Sequence, residues 1–70
     1  MPRYFFHMHI NDDDVARDPV GIEVPNLEMA IAEAEKARVE IMDEDALDQL
    51  WLEIMDEAGQ VVAKVGYRVV

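Results

Sequence analysis

The chain has 70 residues, sixteen acidic against six basic for a formal net charge of −10, and it contains no cysteine, serine or threonine. At this length only one domain fits, burying roughly 60% of its unfolded surface, and with no disulfide to staple so small a core, association with another copy or another protein is expected. The missing hydroxyls and thiols remove the usual nucleophiles and the Walker-type phosphate loop, and the acidity opposes phosphate backbones, so the composition argues against an enzyme.

In chain order, residues 3–10 (RYFFHMHI) read as a strand that ends in the turn-prone run Asn11-Asp12-Asp13-Asp14. Tyr4, Phe6, Met8 and Ile10 form one face of it; Arg3, Phe5, His7 and His9 form the other. The acidic run lacks the glycine and glutamate spacing of a calcium loop and is expected to be a solvated turn. Asp18-Pro19-Val20-Gly21 carries the preferences of a type I turn. A short strand follows at 22–24, with Ile22 and Val24 inward, and Pro25 ends it.

Asn26 stands where it can cap a helix over 27–43, whose residues Leu27, Ala30, Ile31, Ala34, Ala37 and Ile41 make one apolar stripe. Asp43, Glu44 and Asp45 oppose the helix dipole, so fraying after about Met42 is expected, with residues 46–48 as a connector. Arg38, beside the stripe, is expected to lay its stem along the core edge with its head in water. Residues 49–56 and 60–69 read as a hairpin turning at Gly59, with Leu50, Leu52, Ile54, Val61, Ala63, Val65 and Tyr67 inward. Trp51, Glu53, Met55, Val62, Lys64, Gly66, Arg68 and Val70 then face outward.

These elements predict a single domain over residues 1–70. It is a two-layer α+β fold in which one amphipathic helix packs on a small antiparallel sheet in ββαββ order. The outer sheet face would gather Arg3, Phe5, His7, His9, Trp51, Met55, Lys64 and Arg68, with Glu53 its only carboxylate. That is a segregation of cations and aromatics in an acidic chain, and grouped exposed aromatics mark interaction surfaces.

Four readings of this face stand open. The segment between Asp13 and Val20, or a terminus, could cover part of it. The face could bind protein, either a second copy in a homo-oligomer or another partner, through Arg3, Phe5, His7, His9, Trp51, Lys64 and Arg68. It could be a stacking platform for single-stranded nucleic acid, against which the charge and the lack of an RNP-type motif weigh. Lastly, His7 and His9 with Glu53 could hold a metal ion, although no cysteine or third histidine accompanies them. No cofactor is implied and no catalytic residue stands out. With no apolar run long enough to span a bilayer and no leader-like N-terminus, a cytoplasmic protein is expected.

The opening MPRYFFH, the helix entry Val24-Pro25-Asn26-Leu27-Glu28 and the hairpin MDEAGQVV resemble a family of short bacterial proteins of unknown function. That resemblance implies a ββαββ-like domain and transfers no site. The strand, acidic turn and helix entry are similar at the level of fold to HicB-type antitoxins. This second likeness implies only an acidic protein that holds a partner; the added DNA-binding segment many of them carry is not expected here.

Overall fold

The computed structural model describes residues 1–11, 14–45 and 49–67, the side chains of residues 44 and 45 excepted. Its elements in chain order are β1 (Arg3–Ile10), β2 (Asp14–Ala16), β3 (Ile22–Glu23), α1 (Leu27–Asp45), β4 (Leu50–Met55) and β5 (Val61–Val65). The five strands form one antiparallel sheet in the order β2-β1-β4-β5, with β3 also paired to β1, and the helix packs on one side of it, an α+β fold.

The first strand is central. Along one edge it pairs with β4 from Phe5↔Met55 to Ile10↔Leu50. Two short strands share its other edge, β3 opposite Arg3 and Tyr4 and β2 opposite Met8, His9 and Ile10. The brief return of the chain as β2 was not expected from the acidic turn. It is set up by Asn11, whose φ of 54° is a left-handed conformation that asparagine tolerates.

The helix begins as the sequence predicts. Asn26 accepts the first helical bond, from the Ala30 N–H, through its carbonyl at 3.2 Å, and its side chain accepts from the Met29 N–H at 3.0 Å, which serves one of the helix's free donors. Ala30 and Ala34, one turn apart, are fully buried, and their small side chains let the helix backbone settle onto Leu52, Ile54 and Val65. Tyr4, Phe6, Met8, Val24, Leu27 and Ile31 close the core around them. Each of the larger buried side chains contributes roughly 1.5–3 kcal/mol, a large share of a small domain's stability.

Three details depart from expectation. The helix runs on to Asp45, because an unfavourable end charge costs only a few tenths of a kcal/mol against the hydrogen bond gained per added residue; the connector at 46–48 lies outside the described residues. Arg38 does not turn its head to water: its Nε donates to the Leu50 carbonyl at 2.6 Å. A bulge places Ile54 opposite Ala63 but Met55 opposite Val61, so Val62 is the extra residue. Val61 therefore lies on the outer side with Met55, half-exposed, while Val62 packs on the core, the reverse of the alternation predicted. The helix of the described residues is not long and apolar enough to cross a membrane.

Candidate interaction surface

The outer sheet face divides into two halves with different fates. In the first, the segment preceding β3 folds back over β1. Arg3 donates from Nη1 to the Val20 carbonyl at 2.8 Å and from Nη2 to Glu23 at 2.8 Å, so its charge is spent on holding the turn. The Asp18 carboxylate accepts from the N–H groups of Phe6 at 3.2 Å and of Val20 and Gly21 at 3.0 Å. Asp18 in turn donates its own N–H to Nδ1 of His7 at 3.0 Å, which requires His7 to carry its proton on Nε2 in that state.

Asp18 thus fills the gap on the edge of β1 between the stretches paired to β3 and β2. Burial acts to raise its pKa, but the hydrogen bonds from Gly21, Phe6 and Val20, with His7 nearby, outweigh that and hold the carboxyl below its ordinary value. Phe5 lies against Gly21, where an added Cβ would meet the Tyr4 carbonyl at 2.7 Å and the Phe5 ring at 2.9 Å. Arg3, Phe5 and His7 are therefore occupied by the chain's own turn, as one of the four readings anticipated.

The second half is different. Across β1 and β4 the His9 and Trp51 rings stack with centroids 3.8 Å apart and planes 5° from parallel. Beyond Trp51, Tyr67 meets it edge-on at 5.0 Å, and Lys64 places Nζ 4.6 Å from the Tyr67 centroid and 5.6 Å from that of Trp51. Such cation–π contacts contribute about 0.5–1 kcal/mol where exposed. The result is a row of three rings crossing the sheet, ending in an exposed Lys64 and a half-exposed Tyr67.

Tyr67 was expected inside. Gly66, with φ of 79°, turns the chain after β5 so that the next side chain points outward, and Arg38 fills the space where a Cβ on Gly66 would stand. A glycine one residue before an aromatic is the signal that could have flagged this, since glycine within a strand marks a break in its alternation.

Glu53 sits between the halves, opposite His7 on β1 and Lys64 on β5. Its Oε2 is 3.9 Å from His9 Nε2, too far for a hydrogen bond, and among the described residues that buried nitrogen has no partner. His7, by contrast, has Nδ1 bound to the turn. The two histidines and Glu53 are not assembled as a ligand set; among the described residues no group of three such side chains is placed to hold a metal ion. Arg68 lies outside the described residues.

A helix on one side of a small antiparallel sheet, with a row of partly exposed aromatic rings on the other, defines an α+β domain of the two-layer kind. The chain belongs to the family described as Domain of unknown function (DUF6894), whose model matches residues 3–68, in agreement with the expected membership in a family without assigned activity. No curated protein and no solved structure matches it.

Proposed function

We propose that this domain is a non-enzymatic interaction module that binds a second copy of itself, or a protein partner, through the open half of the outer sheet face, with Trp51 at its centre. The observation that carries this reading is the row His9, Trp51 and Tyr67 with Lys64. It is built from large rings on the side of the sheet that the helix core does not use. Tryptophan and tyrosine are enriched at protein interfaces and among the residues that dominate their binding energy. The row favours protein over nucleic acid as the occupant. His9 lies stacked on one side of Trp51 and Tyr67 and Lys64 crowd the other, so a base would have to displace them to stack.

Sedimentation velocity over a range of concentrations tests the reading. The wild-type chain is expected to form a larger species as concentration rises, more readily with added salt because two chains of net charge −10 repel. Trp51→Ala and Tyr67→Ala, each with an unchanged circular dichroism spectrum, are expected to weaken this association at least ~10-fold. Association that neither substitution weakens overturns the reading. Should the wild type stay monomeric, affinity capture from a native lysate decides it: a stoichiometric partner lost by the Trp51→Ala chain supports the surface, and no such partner ends the case for it.

A further inference from the structure

The helix carries apolar residues on two sides, and the core uses only one of them. Leu27, Ala30, Ile31 and Ala34 face the sheet, yet Met29 and Val39 are 46% and 64% exposed on the far side. Valine is a poor choice for an exposed helix position on propensity alone, so its presence there asks for another reason. Met29, Ala32, Lys36, Val39 and Asp43 follow one another at intervals of three and four, the spacing of a coiled-coil seam, and all are exposed.

Glutamates line both flanks of that seam. Glu28 and Glu35 lie on one side and Glu33 and Glu40 on the other, each pair seven residues apart, and all four are exposed. These are the flanking positions whose charges choose the partner of a helix seam. They disfavour a second copy, because in either orientation glutamate would face glutamate, and in the parallel one Lys36 would also face Lys36. A helix with lysine or arginine on its flanks is matched at all four glutamates.

From this pattern we infer that the outer face of α1 is a docking seam for a basic amphipathic helix of a partner protein. It lies on the opposite layer from the aromatic row, so the domain would present two surfaces of different chemistry. Met29, Ala32 and Val39 supply the apolar contact, and the four glutamates supply orientation and selectivity. Binding here weakens as salt rises, whereas self-association through the sheet strengthens, and this opposite dependence separates the two surfaces in one experiment.

The test uses a labelled synthetic peptide of about three heptads, with isoleucine and leucine on the seam and lysine on both flanks, titrated with the full chain by fluorescence anisotropy. A version with glutamate flanks is the control. The basic peptide is expected to bind and the acidic one to fail. Met29→Gln/Val39→Gln and Glu33→Gln/Glu40→Gln are each expected to weaken binding at least ~10-fold. Asp14→Asn/Glu57→Gln, which removes the same charge away from the helix, is expected to weaken it no more than about 2-fold.

All these positions are exposed, so the variants are expected to fold, which circular dichroism checks. No binding of the basic peptide at low salt overturns the inference. Equal losses from the helix and the distant charge pairs would reduce it to diffuse attraction between a basic peptide and an acidic protein, and so overturn it too. Binding indifferent to Met29→Gln/Val39→Gln does the same.

Discussion

Asp18 does more in this protein than shape a turn. Its carboxylate reaches back to the Phe6 N–H, a donor on the edge of β1 that neither β2 nor β3 can serve, while also accepting from Val20 and Gly21. Asparagine could keep the last two bonds through its oxygen but would set an NH2 against the Phe6 donor. Asp18→Asn is therefore expected to cost about 1–2 kcal/mol, read as a lower urea midpoint at pH 7. The pH dependence has a definite sign. The folded carboxyl lies below its ordinary value of about 3.9, so its contribution is complete above that pH and is lost as pH falls through the folded value. The gap between wild type and Asp18→Asn is expected to narrow in acid, and a gap that widened there would sink the account. The turn itself could be read from Asp18-Pro19-Val20-Gly21; its grip on Phe6 could not, because that depends on which edge of β1 is left open.

Among the elements, β5 and its exit show where alternation stops being a guide. The inward positions of β4, namely Leu50, Leu52 and Ile54, follow the period-two pattern and are buried. On β5 the same pattern holds for Ala63 and Val65 but breaks at the bulge, which exchanges Val61 and Val62, and again at Gly66, which sends Tyr67 outward. Both breaks are backbone events that hydrophobic alternation does not see, and only the second leaves a mark in the sequence, at Gly66. Gly66→Ala is expected to cost about 2–4 kcal/mol, combining a strained left-handed backbone with displacement of Arg38 from its bond to the Leu50 carbonyl. In the Gly66→Ala/Arg38→Ala chain the clash is absent, so the two losses are expected to sum to more than the double variant shows in denaturant melts. Strict additivity would mean the two residues do not meet. The helix was the most legible element, from its Asn26 cap to its Ala30 and Ala34 contact. Its second apolar side at Met29 and Val39 becomes meaningful only once the first is known to be filled.

The molecule as a whole is two layers with unlike outer surfaces, rings and a lysine on the sheet, carboxylates on the helix. The class of fold was legible because a capped, periodic helix between strand-like runs leaves few other arrangements. The candidate site was legible by half: His9, Trp51 and Lys64 come together, whereas Arg3, Phe5 and His7 are taken by the turn, and strand order decided between these outcomes. That order carries a consequence for how the protein is made. Of the described strands, the one in the middle of the sheet is synthesised first, and its long-edge partner, β4, begins more than forty residues after β1 begins, at Leu50. Synthesis from the N-terminus therefore delivers Tyr4, Phe6 and Met8 well before Leu52, Ile54 and Val65, and the core cannot close until the last hairpin has emerged. Nascent chains halted at Asp45 are expected to be cut by protease as readily as unfolded chain, and chains extended on a linker past Val70 to resist. For the cell, this sequence is folded all at once or not at all.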